Sequence, residues 1–175
     1  MTPWKNLPQI HLNPGEMHLS PTPSVVTTVL GSCVSVTLFH PKSRIGAICH
    51  GMLPHCQCVA PECLHGGCRE CFRFVDCAIL AMLDQWRDLG IRPAALETKL
   101  FGGADMFRVG EGTVTVGRQN VAMAREILLK TGLKLLSSDT GGDRGRKLLF
   151  FTHTGEVFLK RLSRTIPLTT IDPPL

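Results

Sequence analysis

The sequence predicts an α+β fold. Two helical segments stand among roughly seven strand segments, and most of the strands are joined by hairpins rather than by helical crossovers, which argues against a doubly wound parallel sheet. The chain has 175 residues, enough for one sizeable core, and is read as one domain over residues 1–175. Hydrophobic residues make up 43% and charged residues 19%, the composition of a folded globular chain.

The elements follow in order. Residues 24–30 are rich in Val and Thr and read as a strand, which Gly31-Ser32 breaks. Val34, Val36 and Leu38 alternate with Ser35 and Thr37, the period of a half-buried strand. Residues 41–43 read as a turn and residues 45–53 as the return strand of a hairpin. An irregular cysteine-rich loop is expected at 55–72. Val75, Ile79, Met82, Trp86 and Leu89 recur at helical spacing, with Gly90 as the C-terminal stop. Residues 95–101 read as a strand ending in Gly102-Gly103. A second helix is expected from Asn120, as N-cap, to Gly132. Residues 134–137 form a short strand, and 147–152 with 156–162 form a last hairpin around Thr154-Gly155.

Several function classes are disfavoured. No apolar stretch approaches the length of a bilayer span, and residues 1–10 lack the apolar core of a signal peptide, so a cytoplasmic location is expected. The net charge is +5, but the chain has no Tyr and no aromatic-interleaved basic stripe, so no nucleic acid partner is expected. The basic residues read as a solvated face with mild attraction for an acidic protein.

Cys33 stands on the sharp turn after a strand, where its sulfur can face solvent and its own N–H can help bind an oxyanion. Gly31 and Ser32 complete that neighbourhood. A turn centred at residue 42 places Cys33 opposite a residue near 51, which brings His50 within reach, give or take a bulge. Cys and His at that distance suit nucleophilic acyl transfer, with the imidazole moving the thiol proton. A third group should orient the imidazole, and Thr27 and Thr28 are the nearby candidates. A cysteine near a strand end is more often a small buried residue, and Cys49, one residue from His50, is read as core on the opposite face. A papain-like protease fits poorly, because the Cys-to-His separation is short.

Four segments, in order and with compatible spacing, resemble the CheD family. Residues 27–34 (TTVLGSCV) resemble its nucleophile segment, and 50–54 (HGMLP) its histidine segment. Residues 99–104 (KLFGGA) and 139–146 (DTGGDRGR) resemble its later glycine motifs. The resemblance spans roughly residues 10–160. It implies a chemoreceptor glutamine deamidase, a cysteine hydrolase with a layered sandwich core like that of the cytotoxic necrotising toxin catalytic domain. It implies the triad Cys33, His50 and Thr27, the threonine lying six residues before the cysteine. It also implies a thioester intermediate on Cys33, no cofactor for catalysis, and two partners: chemoreceptor helices and a CheC-like phosphatase. The family often carries Gly-x-Arg-Asn before the second helix, whereas this chain reads Gly117-Arg118-Gln119-Asn120.

Cys56, Cys58, Cys63, Cys68 and Cys71, with His55 and His65, are not required by that chemistry. The two-residue spacing of Cys68 and Cys71 suits a tetrahedral site, and a structural Zn²⁺ held by Cys58, Cys63, Cys68 and Cys71, with Cys56 or a His as alternates, would order the loop. A redox role and inert thiols are the other readings. Cys77 is read as packing. Beside the enzyme, two other readings stand: a regulatory binding module for a CheC-like phosphatase, and a zinc or redox sensor built on residues 56–71.

Overall fold

The computed structural model describes residues 3–56, 70–106 and 114–163. Val25–Leu30 (β3) and Val34–His40 (β4) flank the Gly31-Ser32 break as expected, but they enter different sheets. β3 lies in a four-stranded sheet with Gln9–His11 (β1), Arg146–Phe151 (β8) and Val157–Arg161 (β9), in the order β1-β3-β8-β9. β4 lies in a five-stranded sheet with Met17–Ser20 (β2), Ile45–Cys49 (β5), Glu97–Gly102 (β6) and Leu135–Thr140 (β7), in the order β2-β5-β4-β6-β7. Both sheets are mixed: β1 runs parallel to β3 and β6 parallel to β7, while the remaining pairs are antiparallel.

Three layers result. Val75–Asp88 (α1) and Val116–Lys130 (α2) cover one face of the five-stranded sheet, where Val34, Val36, Leu38, Ala47 and Leu100 pack against Ile79, Met82, Trp86, Ala124 and Leu128. The other face meets the four-stranded sheet: Ile48 packs on Val26 and Phe150, and Phe101 on Leu30 and Leu148. The α+β class predicted from the element pattern, and the layered sandwich that the family resemblance implies, are the observed architecture. One detail differs. The alternation in β4 predicted a half-buried strand, yet Ser35 and Thr37 are as buried as Val34 and Val36, because a second sheet covers their side.

The helix periodicity placed α1 closely, with Gly90 at φ 71° ending it. The N-terminus of α2 is corrected. It begins at Val116, and Thr115 is the cap, its Oγ1 accepting from the Arg118 N–H at 3.2 Å. Asn120 therefore lies inside the helix. β1 and β2 had no sequence prediction. They are three and four residues long, lie among prolines, and take their hydrogen bonds from the edges of existing sheets.

The β4–β5 hairpin controls the site. Its register pairs His40 with Ile45 and Thr37 with Ile48, and it continues without a bulge to a Val34–Gly51 pair, joined by two backbone hydrogen bonds of 2.9 Å. The loop therefore spans residues 41–44, and Arg44 accepts a positive φ of 57° to close it. Extending the register sets Cys33 opposite Met52 and Ser35 opposite His50.

Candidate active site

Side chains directly opposite each other in an antiparallel pair share a face, and so do residues two apart on one strand. Cys33, Ser35 and His50 thus all project to one side, toward the four-stranded sheet. Cys33 and His50 are diagonal neighbours, a relation within reach of a long side chain. Cys49 points the other way, into the helix-facing core, where complete burial pushes its thiol up to about 12. Cys33 is half-buried and packs against Leu30, Phe101 and Leu148.

Three successive carbonyls pin the turn that carries Cys33. Gly31 O accepts from the Ala104 N–H at 2.8 Å, Ser32 O from Asn120 Nδ2 at 2.9 Å, and Cys33 O from the Gly103 N–H at 2.8 Å. A trans peptide points its C=O and N–H in opposite directions. Each carbonyl turned inward therefore turns the following N–H, of Ser32 and of Cys33, away from that donor. The Cys33 N–H lies beside its own sulfur and partly offsets the rise that burial imposes on the thiol. That is the arrangement of an oxyanion donor next to a nucleophile. Gly102 makes the approach feasible: its φ is 109°, and a Cβ there would lie 2.1 Å from Cys33 O. Gly141 N–H binds Gly102 O at 2.9 Å, so the second glycine turn braces the first.

His50 is 1% exposed. Its Nδ1 lies 2.8 Å from Thr28 Oγ1, and that hydroxyl lies 2.9 Å from Leu12 O. A carbonyl only accepts, so the single hydroxyl proton of Thr28 goes to Leu12 O, and Thr28 accepts from His50 Nδ1–H. The tautomer is fixed by this count. Nε2 keeps its lone pair and has no protein hydrogen-bond partner among the described residues. Burial lowers the imidazole pKa to about 4, against the opposing pull of the Leu12 carbonyl and the Glu16 carboxylate. At neutral pH the pair is a thiol and a neutral base rather than an ion pair.

The threonine assignment is corrected here. The structure places Thr28, not Thr27, on His50. β3 alternates: Val26, Thr28 and Leu30 face the other sheet, while Thr27 shares the opposite side with Val29, which is 46% exposed. Thr28→Val should lower kcat about 100-fold by freeing the imidazole tautomer, whereas Thr27→Val should change it less than about twofold. Steady-state turnover of the two variants, each checked for folding, decides between them.

A match to the family described as CheD chemotactic sensory transduction covers residues 52–161. The probable chemoreceptor glutamine deamidase CheD 2 of Geobacter sulfurreducens is 50% identical over 159 residues, covering 91% of this chain and 93% of that protein. The chain belongs to the CheD family. A probable chemoreceptor glutamine deamidase CheD of Maridesulfovibrio salexigens is 40% identical, with 89% of this chain and 93% of that protein covered. One of Thermococcus kodakarensis is 32% identical over 89% of this chain and 94% of that protein.

In this CheD-family chain the glycine motifs read from the sequence as tight turns have a definite task, since they grip the turn that carries Cys33. Asn120, which the sequence pattern marks only as a helix cap, instead lies inside α2 and bonds the Ser32 carbonyl. Its signal was the Gly117–Asn120 spacing, which puts both residues on one helix face, with Gly117 pressed against the Gly103 and Ala104 carbonyls. Arg118 points elsewhere and pairs with Asp105 at 3.0 Å.

Of the cysteine-rich segment, Cys58, Cys63 and Cys68 lie outside the described residues. Cys56 and Cys71 are buried and cluster with Phe74 and Cys77, so Cys77 joins this group rather than the main core. Asp76 accepts from the Cys56 and Cys77 backbone N–H groups and contacts His55 Nδ1 at 2.5 Å. Among the described residues, no group of three or more His, Cys, Asp or Glu side chains is arranged to hold a metal ion. No described helix is long and apolar enough to cross a membrane.

The buried neutral His50 also makes a stability prediction. In the unfolded chain the imidazole binds its proton near pH 6.5, and in the folded chain only near pH 4. Between those values the unfolded state holds more protons, so stability falls as pH falls, by on the order of 3 kcal/mol in total. His18 is lowered by burial as well and adds in the same direction. Urea midpoints at pH 7 and pH 4.5 should show the loss, and His50→Gln should reduce it.

Proposed function

We propose that this chain hydrolyses the side-chain amide of chemoreceptor glutamines to glutamate, with Cys33 as nucleophile, His50 as base and Thr28 as the group that orients it. The observation that carries the mechanism is the relay from His50 Nδ1 through Thr28 Oγ1 to Leu12 O. It commits the imidazole to presenting a bare Nε2 on the face that carries Cys33.

The steps balance as follows. Cys33 Sγ attacks the glutamine Cδ while its proton passes to His50 Nε2. The carbonyl oxygen becomes an oxyanion beside the Cys33 N–H. Collapse breaks the C–N bond, and His50 returns its proton to the departing ammonia. Water then attacks the thioester, giving a proton to Nε2. The C–S bond breaks, the sulfur recovers that proton, and glutamate leaves. Every proton is handled by His50, and Thr28 accepts the Nδ1–H throughout, so the imidazolium is stabilised without rotating.

The substrate helices and a competing CheC-like phosphatase belong to the same proposal, with the enzyme acting on the cytoplasmic side of the receptor. The test is to incubate the full chain with receptor cytoplasmic fragments. Ammonia release and a mass gain of about one dalton, mapped to glutamine, are expected. Unchanged mass across several receptor fragments would overturn the reading.

A further inference from the structure

One carboxamide spans the site. Asn120 is fully buried in α2, and its Nδ2 donates to Ser32 O and to Met52 O, both at 2.9 Å. Both partners are carbonyls, so the amide orientation is fixed without ambiguity. Ser32 immediately precedes the nucleophile. Met52 stands opposite Cys33 in the hairpin register and two residues beyond His50.

The hydrogen-bond ladder explains why such a tie is needed. Val34 and Gly51 form a hydrogen-bonded pair, so the next rung outward would join Ser32 and Leu53. That rung is not made. The Leu53 N–H goes to Arg73 O at 3.0 Å, and the Val75 N–H takes Leu53 O at 2.8 Å, because the chain after Gly51 peels away to bridge residue 74. The Ser32 carbonyl therefore loses its partner on the neighbouring strand. Asn120 replaces the missing rung from a helix and ties the two diverging strands together at the point where the reactive pair stands.

We infer that Asn120 is a positioning residue for the deamidation: it holds the Ser32–Cys33 peptide so that the Cys33 N–H faces the oxyanion, and it fixes the separation of Cys33 from His50. The inference rests on the Cys33–His50 reading above. The two hydrogen bonds of the Asn120 Nδ2 both go to backbone carbonyls, and an amide takes no proton. Without it, two partly buried carbonyls lose this donor and the peptide is free to rotate. This is also the physical reason that Asn120 stands mid-helix, where a good cap residue has no capping task.

The test uses Asn120→Ala and Asn120→Asp in the full chain. The second keeps the shape and removes both donors. Each is measured for thermal unfolding, for deamidation, and for iodoacetamide alkylation of Cys33 against pH. The expected result is a folded protein whose kcat falls about 100-fold with KM within about threefold, the loss typical of a misplaced oxyanion donor. The alkylation rate at pH 8 should fall about tenfold and its profile move to higher pH, because the sulfur no longer has its own N–H beside it. A role in folding alone would leave that profile unmoved. A folded variant with wild-type kcat and an unshifted profile overturns the inference, and so does failure of both variants to fold, which would assign Asn120 to the scaffold. Cys33→Ala, run alongside, separates the two levels. If it retains activity, the nucleophile reading fails; if it is inactive while the Asn120 variants behave as wild type, only this inference fails.

Discussion

Cys33→Ala is expected to lower receptor deamidation by at least about 10⁴-fold and to leave the fold intact. In the proposed reaction the sulfur forms the bond that replaces C–N, and no neighbouring side chain among the described residues stands where it could do the same. Ser32 lies next to it in sequence, but its carbonyl is held by Asn120, and it occupies the adjacent strand position, not that of the sulfur. Cys49 is on the opposite face, fully buried, with its thiol pushed up to about 12. The structural cost is small. Cys33 is only half-buried, and removing one atom from its contacts with Leu30, Phe101 and Leu148 should cost about 1 kcal/mol. Mass measurement of the receptor fragment, with circular dichroism on the variant, checks both parts. A folded variant that still deamidates at a tenth of the native rate would remove Cys33 from the mechanism.

The second large effect is that of His50→Gln, for which a loss of about 10³-fold at pH 7 is expected. Gln preserves the polar character and most of the volume, so what is lost is the base. The pH dependence carries more information than the loss itself. Burial lifts the Cys33 thiol and lowers the His50 imidazole to about 4, so the resting enzyme holds both groups neutral, and the proton moves only as the sulfur attacks. Native kcat/KM should therefore rise with pH through an inflection near 4, well below the ordinary histidine range. That limb should be absent in the His50→Gln variant. A native inflection near 6.5 would show that His50 is not held in the desolvated state described here.

The reach of the sequence is clearest at the nucleophile. Hairpin arithmetic brought Cys33 and His50 together because a two-residue period and a short turn leave little freedom. The one-residue difference in loop length moves the facing residue from 51 to 52, and that shift is what sets Cys33 and His50 on one face, since a 33–51 pairing would have turned them to opposite sides. The threonine could not be settled in the same way. Thr27 and Thr28 are adjacent, and which of them meets the imidazole depends on how β3 presents its faces to a second sheet, a relation between strands that do not pair with each other. Spacing within the family motif pointed to Thr27, and the sheet-to-sheet packing selects Thr28. The second sheet also hid the burial of Ser35 and Thr37, since polar residues at alternating positions ordinarily mark a solvated face. Asn120 was legible as a residue that likes helix starts, but not as a tie between two strands remote from it in sequence. That role exists only because the chain after Gly51 leaves the ladder, and no local pattern announces it.

In the proposed reaction a glutamine side chain becomes covalently attached to Cys33 on its way to glutamate. The most direct measurement is the intact mass of the enzyme after mixing with a receptor fragment and quenching in acid within a single turnover. The expected result is an adduct equal to the two masses less one ammonia, localised to the peptide carrying Cys33 and absent from Cys33→Ala. Steady conversion of glutamine to glutamate with no such adduct at any quench time, and undiminished after Cys33 is alkylated, would contradict it.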